Sequence, residues 1–406
     1  MEPRHFETRA VHSGEHRSVK RNGSGPGETR RDYYPISTPV YASTTFSHPD
    51  IETTDRVLGG EQEGYSYARY DNPTVVAFEQ ALSSLEGSGR AFAFGSGMAA
   101  THAALSAAEC SGECTVLVAE QIYGSTATLM LQVFGAAGVE VRFVDVYDLE
   151  ALEKKVSEQK PRAVVIETIS NPLLRVADTQ GIAEITRAAG SALIVDNTFG
   201  TPYLQRPMEL GADMVVHSAT KYLSGHGDLT AGVVVADPPY DAAVEQIRKL
   251  VGGVLGPFEA WLGLRGLKTL PLRMQRQCDS AREISDWLAN HPKISKVYHP
   301  ATKDHPDTEV TRRALSDTGG MISFELAEES RKAAFRFLNA LELCVKAPSL
   351  GDIYTLAIHP ASASHRELSP VRREKLGVRE NLLRLSVGIE HPQDIISDLN
   401  QALEQL

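Results

Sequence analysis

Short apolar runs alternate with amphipathic segments through the middle of the chain. Seven of these runs predict β-strands: RAFAF, TVLVA, VEVRFV, RAVVIE, SALIVD, ADMVVHS and TAGVVVA. Between them lie segments with apolar residues at helical spacing, such as EALEKKV and GIAEITRAAG. Because strands that alternate with helices form βαβ units, the pattern predicts a mainly parallel sheet covered by helices on both faces.

The segment DNPTVVAFEQALSSLEG predicts a helix with defined ends. Asn72 is suited to cap the first turn, Pro73 to occupy the first helical position and Gly87 to end the last turn. The apolar residues recur at helical spacing at Val75, Phe78, Leu82 and Leu85. A second helix is predicted from Ala99, after the turn GSGM.

The last third of the chain has a different pattern. A long helical stretch is predicted from about Pro257 to Asn290, with an interruption at Pro271. Two strand candidates, MISFEL and LLRLSVG, follow it and are separated by the helical segment RKAAFRFLNAL. We therefore predict an N-terminal arm (residues 1–70), an α/β domain (residues 71–256) and a smaller C-terminal α+β domain (residues 257–406).

The charge of the chain excludes some classes of partner. The 406 residues are 42% hydrophobic and carry a formal net charge of −11, which argues against nucleic acid or an anionic membrane as the main partner. The most basic stretch, HRSVKRNGSGPGETRR at residues 16–31, is rich in glycine and lacks interleaved aromatic residues. We interpret it as a mobile arm, with nucleic-acid contact as the alternative.

Neither a membrane span nor an export signal is predicted. The N-terminal segment has no apolar core of the signal-peptide type, and no run of about 18 apolar residues occurs. The four cysteines, at Cys110, Cys114, Cys278 and Cys344, form no CxxC pair, which argues against a disulfide framework or a zinc ribbon. The sequence predicts a soluble cytoplasmic protein.

One lysine follows a predicted buried strand, in the stretch HSATKYLSGHGD. Lysine is usually found on a solvated face, and Lys221 could have that ordinary role. If it is buried among the neighbouring hydroxyl groups instead, its pKa falls, and its amine becomes a nucleophile that can form a Schiff base.

Other candidate groups also follow predicted strands, where functional side chains of parallel sheets collect. Asp196 ends SALIVD, and its partner is either an arginine or helix cap, or the protonated pyridine nitrogen of pyridoxal phosphate. Tyr123 could stack on such a ring. The turn with Gly95 and Gly97 before a helix favours a phosphate, as do the hydroxyls of Ser218 and Thr220, so the set together fits pyridoxal phosphate.

Longer segments resemble one enzyme family. HSATKYLSGHGD, VDNTFGTP, YARYDNPT, SGMAA, RGLKTLPLRM and LLRLSVGIE are similar to signature segments of the Cys/Met-metabolism pyridoxal-phosphate enzymes, over about residues 35–400. This family includes cystathionine γ-synthase, cystathionine γ-lyase, methionine γ-lyase and the O-acylhomoserine sulfhydrylases. The resemblance implies the type I aminotransferase-like fold and a homotetramer made of two tight dimers, in which the N-terminal arm contacts the neighbouring subunit.

The resemblance also implies roles for residues at the cofactor. Lys221 would hold pyridoxal phosphate and shuttle protons, Asp196 would pair with the pyridine nitrogen, and Asn171 would donate to the 3-oxygen. Tyr123 would stack on the ring and assist proton transfer. The phosphate would be bound by Gly97, Met98, Ser218 and Thr220, and from the neighbouring subunit by Tyr67 and Arg69.

For the substrate, the resemblance implies that Arg384 binds the α-carboxylate of an amino acid and that Ser349 supports both this carboxylate and the lysine. KYLSGHGD is more similar to the γ-lyase and γ-synthase branch than to the sulfhydrylases, where a tryptophan is expected after the lysine. We expect γ-elimination that yields 2-oxobutyrate, ammonia and a thiol. The alternatives are a cystathionine γ-synthase, an O-acylhomoserine sulfhydrylase and a non-catalytic α/β scaffold.

Four positions depart from the patterns of the branches. Methionine γ-lyases usually have a cysteine where this chain has Ser125, and cystathionine-handling members have an arginine where it has Thr128. Acidic residues that would hold the distal ammonium of cystathionine are replaced by Ser66 and Pro348. These changes predict that small γ-substituents are handled at least as well as cystathionine, unless basic residues of the arm supply a substitute cation.

The remaining candidates have ordinary interpretations. His226 is expected to stabilise its loop rather than act as a base or ligand. His359 and His365 lack the further ligands of a metal site, so no metal is predicted. Cys110 and Cys114 are expected to be packing residues.

Overall fold

The fold is taken from a computed structural model, which describes residues 4–15, 35–366 and 368–406. The basic stretch at residues 16–31 lies outside the described residues. Among the helices of the described segments, none combines the length and the apolar character that crossing a membrane requires.

The larger sheet contains the seven strands that the apolar runs predict. Its strands are β1 Arg90–Phe94, β2 Thr115–Ala119, β3 Glu140–Val144, β4 Ala163–Glu167, β5 Ala192–Asp196, β6 Met214–Ser218 and β7 Gly232–Ala236. They are arranged in the order β1-β7-β6-β5-β4-β2-β3. Only β7 runs antiparallel to its neighbours, β1 and β6, and the other pairs are parallel. The prediction of a mainly parallel sheet is confirmed.

Helices surround this sheet and continue into the C-terminal part. They are α1 Phe6–His12, α2 Ile51–Leu58, α3 Pro73–Glu86, α4 Gly97–Ala107, α5 Gly124–Leu129, α6 Leu149–Gln159, α7 Thr179–Ala189, α8 Thr201–Leu204, α9 Tyr240–Val251, α10 Pro257–Leu267, α11 Leu270–Ala289, α12 Thr308–Ala314, α13 Arg331–Ala340, α14 Pro370–Lys375 and α15 Pro392–Glu404. A π-helical turn at Met130–Phe134 extends α5, and short 3₁₀ turns lie at Pro207–Leu210 and Pro360–Ser362.

The central strands are buried on both faces. In β4, Val164 and Ile166 belong to one apolar core, while Ala163 and Val165 belong to the core on the opposite face. Since successive side chains of a strand point to opposite faces, a strand covered on both sides must be apolar throughout. This explains why these strands appear in the sequence as continuous apolar runs.

The ends of α3 agree with the prediction. The Asn72 side chain accepts a hydrogen bond from the backbone N–H of Thr74 at 2.9 Å, and Gly87 has a left-handed φ of 90°. The start of α4 was wrong by two residues, because the helix begins at Gly97. There the Ser96 hydroxyl caps it by accepting from the backbone N–H of Ala99 at 3.1 Å.

The C-terminal part contains a five-stranded sheet. Its strands are β8 Ile294–Tyr298, β9 Met321–Leu326, β10 Val345–Lys346, β11 Leu356–Ile358 and β12 Leu382–Ser386, in the order β10-β11-β12-β9-β8. The two strands predicted from the sequence, β9 and β12, pair with each other and are fully buried. The other three were missed because they are very short or largely exposed.

The long predicted helix is divided between α10 and α11 at residues 268–269. Pro271 therefore lies in the first turn of α11 and does not itself interrupt a helix. Proline is tolerated there because the backbone N–H that it lacks would have no helical partner.

The loop after β4 is attached to the C-terminal part at two points. The Asp307 carboxylate accepts from Arg175 Nε at 2.6 Å, from Arg175 Nη2 at 2.8 Å and from the backbone N–H of Val176 at 2.9 Å. Ser323 of β9 donates its hydroxyl to the carbonyl oxygen of Pro172 at 2.6 Å. These contacts fix the position of a loop that also contains Asn171.

We expect Asp307→Ala to lower the free energy of unfolding by about 2–4 kcal/mol, because it leaves a half-buried guanidinium and a buried backbone N–H without their acceptor. Urea denaturation measures this change. The matched control is Glu309→Ala in α12, the helix that follows Asp307; the Glu309 side chain is 95% exposed, lies 3.9 Å from Arg312 and contributes little. Equal effects of the two substitutions would show that the Asp307 contacts do not stabilise the fold.

Candidate active site

A cavity of about 410 Å³ opens where β2, β4, β5 and β6 end and α4 begins. Most residues that the sequence predicts for the site line it: Gly97, Met98, Tyr123, Asn171, Asp196, Ser218, Thr220, Lys221, Ser349 and Arg384. The carboxyl ends of parallel strands meet at one edge of a sheet, so strand-end residues that are distant in sequence converge there.

Tyr67 and Arg69 do not line this cavity. The Arg69 guanidinium lies 5.5 Å from the centre of the Tyr67 ring and 5.0 Å from that of Tyr70, and it donates to the carbonyl oxygen of Lys249. Gly95 also lies outside the cavity lining, and its backbone N–H donates to Gly253 at 2.6 Å. The expected contact of Tyr67 and Arg69 with phosphate across a subunit interface stays a prediction.

The N-terminus of α4 forms one end of the cavity. A Cβ atom at Gly97 would lie 2.9 Å from the Cβ of Ser218, so only glycine allows the helix to approach β6 this closely. Unpaired backbone N–H groups at the start of this 11-residue helix favour an anion. The Thr220 hydroxyl already has two hydrogen bonds to Ala231. It donates to the Ala231 carbonyl oxygen at 3.2 Å and accepts from the Ala231 backbone N–H at 3.0 Å.

Lys221 lies in the turn that follows β6, with its backbone N–H bonded to the carbonyl oxygen of Ser218. Its Nζ donates to the Ser349 hydroxyl at 2.9 Å. Burial, and then the nearby positive charge of Arg384, lower the pKa of the lysine. A larger share of the amine is therefore uncharged and nucleophilic at neutral pH than in an exposed lysine.

Arg384 is a buried cation bound to neutral oxygen atoms. It lies in β12 and is 3% exposed; its Nη1 donates to Asn171 Oδ1 at 2.8 Å and its Nη2 to the Ser349 carbonyl oxygen at 3.1 Å. Its Nε is buried without an acceptor, and burial lowers the pKa of the guanidinium to about 10. Such a group is suited to bind a carboxylate that enters the cavity.

Asp196 supplies a half-buried carboxyl group to the same cavity. Its Oδ1 accepts from the backbone N–H of Thr198 at 2.9 Å, and burial raises the pKa of the carboxyl group. No lysine or arginine of residues 4–15, 35–366 and 368–406 forms an ion pair with it. A half-buried carboxyl group without a lysine or arginine partner in the described chain fits a protonated ring nitrogen.

Glu167, the last residue of β4, also lines the cavity but was not predicted from the sequence. The signal was present, because RAVVIE ends in a carboxylate just as SALIVD does. Ser96, Thr198 and Ser364 line the cavity as well, but nothing in their sequence surroundings distinguishes them from ordinary turn residues.

The histidines considered as ligands have other contacts. The His226 ring is 2.6 Å from the carbonyl oxygen of Ser224, and the His359 ring lies 2.9 Å from both the Ser362 hydroxyl and the Glu380 carbonyl oxygen. Within the part of the chain that the structure describes, no group of three or more His, Cys, Asp or Glu side chains could hold a metal ion.

Comparison with known proteins identifies the family. The profile of the Cys/Met metabolism PLP-dependent enzymes matches residues 24–404. The chain belongs to this family. It is a pyridoxal-phosphate-dependent enzyme, and the type I aminotransferase-like fold expected from the sequence is confirmed.

Curated relatives and solved structures agree with this assignment. The chain is 42% identical to an L-methionine gamma-lyase of Pseudomonas putida over 404 residues, which are 98% of this chain and 97% of that protein. It is 41% identical to a cystathionine gamma-lyase of Bacillus subtilis over 372 residues, 91% and 94% of the two chains. A structure of cystathionine gamma synthase from Xanthomonas oryzae pv. oryzae superposes with a TM-score of 0.90 at 32% identity and covers 99% of this chain and 98% of that chain.

The residues present fit pyridoxal phosphate. The N-terminus of α4 and the absence of a Cβ at Gly97 suit its phosphate, the unpaired Asp196 carboxylate suits its ring nitrogen, and the Lys221 amine, with its lowered pKa, suits its aldehyde. Tyr123 lines the cavity and is 38% exposed, so part of its surface is free to contact a ligand.

We expect borohydride reduction of the enzyme with its cofactor, followed by peptide mapping, to find the pyridoxyl label on Lys221, because this lysine is buried and its pKa is lowered. Lys221→Ala should carry no label. Lys268→Ala is the control, because the Lys268 ammonium is paired with Glu15 and lies outside the cavity. A label on any lysine other than Lys221 would show the assignment to be wrong.

Proposed function

We propose that the protein is a γ-lyase for amino acids with a small γ-substituent, such as methionine, which it converts to 2-oxobutyrate, ammonia and a thiol. The observation that carries this proposal is the charge of the cavity wall. Among the described residues, the ionisable acids and bases that line it are Glu167, Asp196, Lys221 and Arg384, apart from the phenol of Tyr123.

Each of the two cations has a role at the α-carbon end of the substrate. Arg384 would bind the α-carboxylate through Nη and Nε, while Ser349 would hold Nζ of Lys221 close to the reacting carbons. Lys221 would then remove the α-proton and return a proton to the product, and Tyr123 would assist at the γ-substituent. Pyridoxal phosphate, when bound, supplies the electron sink that stabilises negative charge at the α-carbon.

A substrate with a second amino-acid head group would lack partners in this wall. Cystathionine carries an ammonium and a carboxylate beyond its sulfur, and each would need an opposite charge once buried. Pro348 lines the cavity at one position where cystathionine enzymes have a charged residue. Thr128 lies outside the cavity lining, in the adjoining helix α5, and donates its hydroxyl to the carbonyl oxygen of Gly124. Neither side chain is charged, which supports a preference for small substituents.

The alternative is γ-replacement, as in cystathionine γ-synthases and O-acylhomoserine sulfhydrylases. It is supported by the close superposition on the cystathionine gamma synthase structure. Mass spectrometry of products formed from methionine, homocysteine and an O-acylhomoserine, with and without added thiol, separates the two. Release of 2-oxobutyrate without thiol supports γ-elimination, and a thiol-dependent product with no 2-oxobutyrate contradicts it.

The proposal includes a homotetramer with active sites shared between subunits. Exposed apolar side chains support such contacts, since Ile51, Leu58, Leu250, Val251 and Phe258 are each 57–74% exposed. The segment after α9 contacts the residue before Ser96 of the cavity lining, because Gly253 accepts from the backbone N–H of Gly95. Near the end of α9, the carbonyl oxygen of Lys249 accepts from Arg69. The cytoplasmic location expected from the sequence stays a prediction.

We expect kcat/KM for L-methionine to be at least as high as for L-cystathionine, measured side by side by release of 2-oxobutyrate. One missing charge-assisted hydrogen bond costs about 1.5–3 kcal/mol, which corresponds to roughly tenfold to a hundredfold in selectivity. Thr128→Arg should shift the ratio towards cystathionine by about tenfold, whereas Thr128→Met, which adds an unbranched but uncharged side chain, should not. A wild-type preference for cystathionine of more than about tenfold would overturn this substrate assignment.

We expect Arg69→Ala to weaken cofactor retention, and a reassociated mixture of Arg69→Ala with Lys221→Ala to be more active than either parent. In a shared site, mixing creates some sites that contain both an intact Arg69 and an intact Lys221. Activity after unfolding and refolding of the mixed subunits measures this gain. Mixing Lys221→Ala with Arg384→Ala serves as the control, because both residues line the cavity of one chain. If the first mixture gains no more than the control, the site is not shared through Arg69.

A further inference from the structure

Glu167 is the acidic residue of the cavity to which the proposed reaction gives no role. It ends β4, lines the cavity and is 8% exposed. In the register of β4 and β5 it lies opposite Asp196. Residues opposite each other on adjacent strands project from the same face of the sheet, so the two carboxyl groups are neighbours at its carboxyl edge.

The two oxygen atoms of Glu167 accept hydrogen bonds from two different loops. Oε1 accepts from the backbone N–H of Tyr123 at 2.9 Å, and Oε2 accepts from the backbone N–H of Asn171 at 3.3 Å. Tyr123 lies in the connection between β2 and α5, whereas Asn171 follows β4. A single carboxyl group therefore connects the backbones of two loops on neighbouring strands.

Both loops carry side chains that face the cavity. The Asn171 Oδ1 accepts from Arg384 at 2.8 Å, so a shift of the Asn171 backbone moves an acceptor of the guanidinium. Tyr123 is the residue at the start of α5, and its side chain makes no capping hydrogen bond there. The direction of its ring thus depends on how its backbone is held.

Burial raises the pKa of both neighbouring acids. For Glu167 the charge of Asp196 adds to the effect of burial and raises the pKa well above its usual range, whereas the hydrogen bonds from Tyr123 and Asn171 lower it. For Asp196, hydrogen bonds from Thr198 oppose the effect of burial in the same way. The hydrogen bonds from the two loops therefore partly offset the cost of ionising the Glu167 carboxyl group.

We propose that Glu167 is a positioning residue of the active site, which holds Tyr123 and Asn171 at the spacing that the cofactor ring and the substrate carboxylate require. The inference rests on the proposed function only for the nature of these bound groups. It assigns Glu167 an indirect role, since it acts through the two loops.

Two substitutions test this role. Glu167→Ala removes both acceptors, and Glu167→Gln keeps the size and one oxygen but turns an amide NH₂ towards one of the two backbone N–H groups. We expect both to alter the visible circular dichroism of the bound cofactor, which reports the orientation of its ring. We also expect the dissociation constant for glycine, which has a carboxylate but no γ-substituent to lose, to rise about tenfold in Glu167→Ala and less in Glu167→Gln, a partial rescue.

Asp398→Asn is the matched control. Asp398 is also a buried acceptor of backbone N–H groups, from Glu342, Leu343 and Cys344 at 2.8–3.0 Å, but it lies outside the cavity. Its substitution should lower thermal stability and leave the cofactor spectrum and glycine affinity unchanged. If the two Glu167 variants behave in the same way as this control, Glu167 has only a structural role and the proposal is wrong.

The two readouts are independent of the substrate assignment, because neither requires turnover. A wild-type enzyme that prefers cystathionine or requires a thiol would contradict the function proposed above and would leave the Glu167 result unaffected. Conversely, unchanged spectra and glycine affinity in both Glu167 variants would reject the positioning role even if methionine proves to be the preferred substrate.

Discussion

The active site depends on the burial of one charged group, the guanidinium of Arg384, where the C-terminal sheet meets the loop after β4. Arg384 is 3% exposed, and burial lowers its pKa because a charge is less stable away from water. The described structure gives it neutral acceptors, Asn171 Oδ1 and the Ser349 carbonyl oxygen, rather than a carboxylate. Its positive charge is therefore not neutralised by these contacts and is available to an anionic ligand. Without hydrogen-bond acceptors, a cation buried at this place would be costly.

This arrangement requires the C-terminal sheet and the larger sheet to keep a fixed relation. Arg384 belongs to β12, whereas Asn171 belongs to the loop after β4. Asp307 and Ser323 hold that same loop from the C-terminal side, through Arg175, Val176 and Pro172. Contacts that look purely structural thus determine where an acceptor of the Arg384 guanidinium lies.

Burial acts in opposite directions on the acids and bases of the cavity. It raises the pKa of Glu167 and Asp196 and lowers that of Lys221 and Arg384. The charged form of each group is therefore less favoured than in water, which suits a site that is expected to bind a zwitterion and transfer protons. A cystathionine gamma-lyase structure and a cystathionine gamma synthase structure superpose on this chain with TM-scores of 0.89 and 0.90, so the backbone alone does not distinguish these activities.

The sequence by itself determined the elements whose signal is local. The apolar runs predicted the seven strands of the larger sheet, and Asn72 and Gly87 predicted the ends of helix α3. Both signals are local, because each depends only on residues a few positions apart. The predicted cavity residues at strand ends were found for a related reason, since a polar group directly after a buried strand is conspicuous. Because the strands pair in parallel, these residues lie at the same edge of the sheet.

Only the tertiary structure decided the rest. It showed that β7 runs antiparallel, that the exposed strand β8 and the short β10 and β11 exist, and that Tyr67 and Arg69 lie outside the cavity of their own chain. It also revealed the contacts of Glu167, whose hydrogen-bond donors are 44 and 4 residues away along the chain. The physical reason is that strand order, and the contacts between loops that it creates, depend on the packing of distant segments, which no local pattern of apolar and polar residues contains.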